Sequence, residues 1–98
     1  MHTKNLIELS NKYIANTYSR FPIVIVRGSG CKVWDIDGRE YLDFVAGLAV
    51  CNLGHCHPKV VAAINQQAKT YMHLMVYGEY VQHPQTQYAK LLTSLLPA

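Results

Sequence analysis

The dipeptide Asp37-Gly38 constrains the fold more than any other feature, because it stands between two β-rich runs, one ending at Ile36 and the other starting at Arg39. Asp-Gly readily takes the two positive φ angles of a two-residue hairpin loop. A tight turn there sets Ile36 against Arg39, then Asp35 against Glu40, Trp34 against Tyr41, Val33 against Leu42, Lys32 against Asp43 and Cys31 against Phe44. One face of this ribbon carries Trp34 and Tyr41 with a Lys32 to Asp43 ion pair, and the other carries Val33, Leu42, Cys31 and Phe44, the pattern of a half-buried hairpin. Asp35 opposite Glu40 is the misfit, since like charges across strands repel. Either both carboxylates turn to water beside the turn or the register is looser than this pairing, and neither reading makes them a metal site or an acid–base pair.

Elements on either side follow from caps and periodicity. Thr3 is placed to cap a helix over Lys4 to Ala15, with Leu6, Leu9 and Tyr13 among its apolar positions. Phe21-Pro22 enforces an extended entry to Ile23-Val-Ile-Val26, whose β-branched residues favour a strand. Arg27-Gly-Ser-Gly30 then links that strand to the ribbon. Val45 to Cys51 is small and apolar, which predicts a buried turn or short helix. Pro58 suits a first helical position with His57 as its cap, giving a helix to about Met72. A loop from Leu74 to Gln82 leads to a last helix from His83, where Tyr88, Leu91, Leu92, Leu95 and Leu96 form an apolar stripe that needs cover.

With 50% apolar and 15% charged residues in 98, the composition predicts a well-buried core, and it hints at surface meant to be covered by more chain or by a partner. The net charge of +3 comes from nine scattered Lys and Arg, which gives no footprint for nucleic acid or a membrane surface. Cys31, Cys51 and Cys56 are odd in number and lack a C-x-x-C spacing, so free thiols in a reducing compartment are expected. The first residues carry no apolar signal core and no run approaches the ~18 apolar residues of a membrane span, which places the chain in the cytoplasm.

His55-Cys56-His57 invites a zinc reading, yet His73, His83, Cys31 and Cys51 supply no further ligand-like spacing. The expectation is that His57 caps a helix and that His55 bonds to backbone. Cys56 beside a histidine is not read as a nucleophile, because sequence neighbours seldom point at each other. Gly28-Ser-Gly30 lacks the spacing of a phosphate loop. Tyr18, Tyr77 and Tyr80 lie outside apolar stripes, which makes them better pocket candidates than Tyr13, Tyr71 or Tyr88.

Three groups of residues together, in order and spacing, carry a family likeness. Val33-Trp34-Asp35-x-Asp37-Gly38-x-x-Tyr41-x-Asp43-Phe44, then Gly54-His55-x-His57-Pro58, then the Leu91-Leu92 helix before Pro97, resemble the N-terminal segment of class III pyridoxal-phosphate-dependent aminotransferases. The resemblance runs from about Tyr18 to the last residue. It implies an α+β fragment, made of an N-terminal helix, a small antiparallel β ribbon and further helices, that belongs to a type I pyridoxal-phosphate transferase fold with an α/β large domain and an α+β small domain. Residues 1–56 would form part of the small domain, and residues 57–98 would lead into the large cofactor-binding domain. The implied enzyme is a homodimer that moves an amino group from an amino acid or ω-amino acid to a 2-oxo acid such as 2-oxoglutarate, with pyridoxal 5'-phosphate as electron sink. The family's cofactor-bonding lysine, phosphate-binding turn and ring-stacking aromatic lie further downstream, so no catalytic or cofactor residue is assigned and the segment alone is expected to be inactive. By position Tyr18 matches a substrate-facing tyrosine of ornithine-type members. Leu48 matches a substrate-contacting site that is tyrosine in ornithine aminotransferases and aliphatic in acetylornithine and 4-aminobutyrate types. The loop Met75-Val-Tyr77-Gly78-Glu79 matches one that reaches toward the active site. The competing readings are a non-enzymatic interaction module using the last helix's stripe and a His/Cys metal-binding module.

Overall fold

The computed structural model describes residues 2–75 and 77–97. The order of elements is α1 (Thr3–Tyr13), β1 (Ile25–Ser29), β2 (Lys32–Asp35), β3 (Glu40–Leu42), α2 (Ala46–Ala49), α3 (Pro58–Thr70) and α4 (His83–Ser94). The three strands form one antiparallel meander in chain order. The chain divides into two compact units, one ending at Asn65 and the other starting at Gln66.

In the first unit, the hairpin forms where Asp37-Gly38 places it, but one residue out of the expected register. The pairs are Lys32 with Leu42, Val33 with Tyr41 and Trp34 with Glu40. The physical reason is the Asp35 side chain, which accepts the N–H groups of Asp37 at 3.0 Å and Arg39 at 2.8 Å. Those bonds favour a three-residue loop, Ile36 to Gly38, in which Gly38 N–H reaches Asp35 C=O at 3.0 Å and Gly38 takes φ 83° as the glycine of a G1-type bulge. Three expectations change with the slip. Trp34 no longer faces Tyr41 but carries the Arg27 guanidinium 3.6 Å above its ring. Lys32 pairs with Glu40 at 2.6 Å instead of Asp43, and Glu40 is thereby drawn away from Asp35. Asp35 turns inward instead of to water, at 5% exposure.

The expected link Arg27 to Gly30 is mostly strand. β1 runs to Ser29, which pairs with Lys32 across the two-residue loop Gly30-Cys31, and a bulge at Val26 brings Ile25 opposite Asp35. Nor does Thr3 cap α1. Its hydroxyl donates to Asp37 Oδ2 at 2.8 Å, which ties the helix start to the hairpin loop. Past α1, Arg20 donates to Ala15 C=O at 3.1 Å and to the Asn11 and Asn16 side chains, closing the turn before Pro22. Between α1 and the sheet lies an open apolar cleft of about 800 Å³, lined by Leu6, Ile7, Phe21, Ile23, Ile25 and Tyr41 among others.

In the second unit, the C-terminal part of α3 ends with the Gln67 side chain donating to Tyr71 C=O at 2.9 Å. α4 starts from an extended Gln82 with Pro84 in its first turn, where a missing N–H costs nothing. Leu91, Leu92 and Tyr88 stand exposed along it.

The expected buried core is not there. Among the described residues no apolar side chain is buried, and Asp35 is the buried residue that remains. In the first unit the strands pack on one another while α1 faces the sheet across the open cleft, so the apolar sides of these elements are left without a closed interface.

Candidate functional site

Asp43, one residue past β3, organises the site. Its Oδ1 accepts the N–H groups of Val45 at 3.0 Å and Ala46 at 2.9 Å, and its Oδ2 meets His55 Nε2 at 2.6 Å. The Ala46 N–H first and then His55 hold its carboxyl below the usual carboxylate value. His55 is fixed from behind by its own main chain, which exchanges bonds of 3.0 and 2.8 Å with Gly30. Two close approaches make this possible. A Cβ on Gly28 would stand 2.7 Å from the His55 ring, and one on Gly54 would stand 3.0 Å from the Gly30 backbone, so neither position has room for a side chain. The expected bond from His55 to backbone is thus a main-chain bridge, while the ring itself serves Asp43. His57 was expected to cap α3 through its side chain. Its carbonyl accepts from Val61 at 3.0 Å, but its Nδ1 is buried without a partner.

The backbone beyond Asp43 is unusual. Ala46, Gly47, Leu48 and Ala49 take φ of 48°, 62°, 61° and 63°, one turn of left-handed helix, before Val50 returns to φ −91°. Each non-glycine residue held there costs roughly 1–2 kcal/mol relative to the right-handed region. The N–H groups of Val50 and Cys51 close the turn on Ala46 C=O at 2.8 and 2.9 Å, and that of Leu48 on Val45 C=O at 2.9 Å. The expected buried turn or short helix is therefore an exposed, left-handed one. Leu48 stands on it at 86% exposure. Strain kept in place by a surrounding lattice of bonds marks functional positions more often than structural ones.

Of the other candidates, Tyr18 lies in the irregular link between α1 and β1, 83% exposed. Tyr77, Gly78 and Glu79 lie in the loop before α4, in the second unit, where Gln82 donates to Met75 C=O at 3.4 Å. Val76, in the same expected loop, falls outside the described residues. Tyr18 and Leu48 share the first unit.

The residues that sequence reasoning missed are Asp43, read only as an ion-pair partner of Lys32, and Asp35. Each carries a signal: an aspartate at or directly after the end of a strand, followed within four residues by small or turn-forming residues whose N–H groups need an acceptor.

Among the described residues no group of three or more His, Cys, Asp or Glu is arranged to hold a metal ion. Pyridoxal phosphate does not fit this set either. Its covalent anchor must be a lysine that gives up its proton, and Lys32 is pushed the other way by its hydrogen bond to Glu40. Lys4, Lys12, Lys59, Lys69 and Lys90 stand on exposed helix positions.

Residues 13–98 match the family described as aminotransferase class-III. The acetylornithine aminotransferase of Methanocaldococcus jannaschii is 50% identical over 95 residues, covering 97% of this chain and 23% of that protein. The crystal structure of acetylornithine aminotransferase from Elizabethkingia anophelis superimposes with a TM-score of 0.88 at 35% identity, over 98% of this chain and 24% of that one. The ornithine aminotransferase of Toxoplasma gondii, whose structure has partial occupancy of PLP at its active site, aligns with a TM-score of 0.81 at 34% identity, over 95% of this chain and 22% of that one. The chain thus spans about a quarter of the length of the relatives it matches.

Proposed function

Because this chain belongs to the class-III aminotransferase family, we propose that it supplies the N-terminal part of a pyridoxal-phosphate-dependent aminotransferase subunit. The enzyme transfers an amino group from an amino acid or ω-amino acid to a 2-oxo acid such as 2-oxoglutarate, as a cytoplasmic homodimer. Residues 1–56 belong to its small domain and residues 57–98 lead into its large one. Each unit contributes substrate-pocket residues of its own, Tyr18 and Leu48 from the first and Tyr77, Gly78 and Glu79 from the second. The cofactor supplies the electron sink, held by residues outside this chain.

The observation that carries this reading is the 50% identity to an acetylornithine aminotransferase along nearly the whole chain. Leu48 refines it. An aliphatic side chain at the far end of the pocket suits a donor whose second amine is a neutral amide, and it offers nothing to an ammonium. N-acetylornithine is therefore the preferred donor over ornithine.

The test is a chimera in which this chain replaces the matching segment of the Methanocaldococcus jannaschii enzyme. The chimera forms glutamate from N-acetylornithine and 2-oxoglutarate, with kcat/KM within about tenfold of the parent and higher than with ornithine. A folded chimera that binds the cofactor but transfers no amino group from either donor overturns the reading.

A further inference from the structure

We propose that Asp43 and His55 are positioning residues, which lock residues 46–49 in their left-handed turn and so set how tightly the amino donor is held against Leu48. The inference rests on the reading of Leu48 as a substrate-side residue.

The bonds within the turn, from Val50 and Cys51 N–H to Ala46 C=O and from Leu48 N–H to Val45 C=O, close it without relieving its strain. Ala46, Leu48 and Ala49 are L-residues in the region that disfavours a Cβ, and no glycine at those positions relieves them. From outside the turn, two N–H bonds into Asp43 Oδ1 at its entry add to the turn's own bonds. Asp43 in turn is aimed by the 2.6 Å contact of its other oxygen with His55. His55 cannot drift, because its main chain is bridged to Gly30 and its ring lies on Gly28. The path from sheet to pocket is therefore continuous: the β1–β2 hairpin end, then His55, then Asp43, then the turn with Leu48. A buried scaffold has no use for such an arrangement at an exposed turn, since a right-handed turn with the same residues is cheaper. A pocket wall does, because an apolar side chain displaced by an ångström no longer excludes water from its ligand.

The prediction has a signature that a merely structural role lacks. If Asp43 acts by holding a strained backbone, glycine at the strained positions removes the need for it. In the chimera, Asp43→Ala raises the KM for N-acetylornithine about tenfold while kcat stays within about threefold. His55→Ala does the same to a smaller extent, because the Oδ1 bonds survive. Asp43→Asn keeps most of the affinity, since its carbonyl oxygen still accepts from Val45 and Ala46. Adding Ala46→Gly and Ala49→Gly to Asp43→Ala brings KM back to within about threefold of the parent.

The proposal is overturned if Asp43→Ala leaves KM within about twofold, or if KM rises and the two glycines do not bring it back. Should Asp43→Ala fail to fold, His55→Ala with and without the two glycines gives the same reading. Crystal structures of the chimera and its Asp43→Ala variant, which loses both Oδ1 bonds, separate this claim from the functional one. A parent chimera with no transamination sinks the function, whereas a turn that keeps all four positive φ values without its latch sinks the positioning role.

Discussion

Asp35 and Asp43 are built alike and hold very different turns. Each follows or ends a strand, each takes two main-chain N–H groups on Oδ1, and each spends Oδ2 on a ring-bearing side chain, Tyr41 at 2.7 Å and His55 at 2.6 Å. Around Asp35 the positive φ falls on Gly38, which takes it without strain. Around Asp43 it falls on Ala46, Leu48 and Ala49, which do not. The first turn is a relaxed hairpin loop whose aspartate is buried and tied through Asp37 to the start of α1. The second is a strained loop at the surface. The same hydrogen-bonding device thus serves the fold in one place and, on our reading, presents a side chain to a substrate in the other.

Exchanging the two aspartates for alanine is the largest test of that division. Asp35→Ala leaves two N–H groups and the Tyr41 hydroxyl without an acceptor in the one buried spot of the sheet. It lowers the Tm of the chimera by roughly 5 °C or more, while KM for the donor in the folded fraction stays within about twofold. Asp43→Ala does the reverse, with the donor KM rising and Tm moving less. If both variants shift Tm and KM in parallel, the two turns are equivalent and the contrast is wrong.

Gly28→Ala acts on one turn only. The added Cβ stands 2.7 Å from the His55 ring, whose Cγ and Cβ are bound rigidly to the backbone and cannot swing aside as a long side chain would. His55 is pushed off Asp43, and the donor KM rises several-fold, about half the effect of removing Asp43. Normal kinetics in this variant would show that the path through His55 is not needed. Leu48→Tyr leaves both turns in place and changes what one of them offers. The ratio of kcat/KM for N-acetylornithine over ornithine falls roughly fivefold in steady-state assays with each donor. An unchanged ratio would place Leu48 away from the donor.

The comparison also explains what could be read from residues alone. Asp37-Gly38 marks the hairpin correctly, because glycine's tolerance of positive φ is a property of the residue itself. Its register is not legible, since the loop length is decided by a competing acceptor, the Asp35 carboxylate, whose orientation depends on Tyr41 six residues on. The helices at Pro58 and His83 are legible from proline and periodicity, and they start where expected. The burial is not, because 50% apolar residues promise a core only if the chain contains both sides of each interface. For the site, Tyr18 and Leu48 come from resemblance. The left-handed turn leaves no trace in Ala-Gly-Leu-Ala, which reads as an ordinary small apolar stretch. Its only local sign is the aspartate three residues before Ala46.

The smallest expected effect separates the two carboxylates by acid titration. Both sit below the ordinary aspartate value of 3.8, Asp35 chiefly through the Tyr41 hydroxyl and Asp43 chiefly through the Ala46 N–H. A carboxyl lowered in the folded state stabilises the fold above its unfolded value, and that contribution disappears as pH falls below 3.8 and through the folded value. Tyr41→Phe removes the main cause for Asp35 and leaves Asp43's partners untouched. The Asp35 resonance in a chimera labelled with carbon-13 aspartate then titrates closer to 3.8, so protection against acid is lost at a higher pH, while the Asp43 resonance does not move. A joint shift of both resonances would mean that the two turns communicate through β3, and the sheet would have to be treated as one device with two ends.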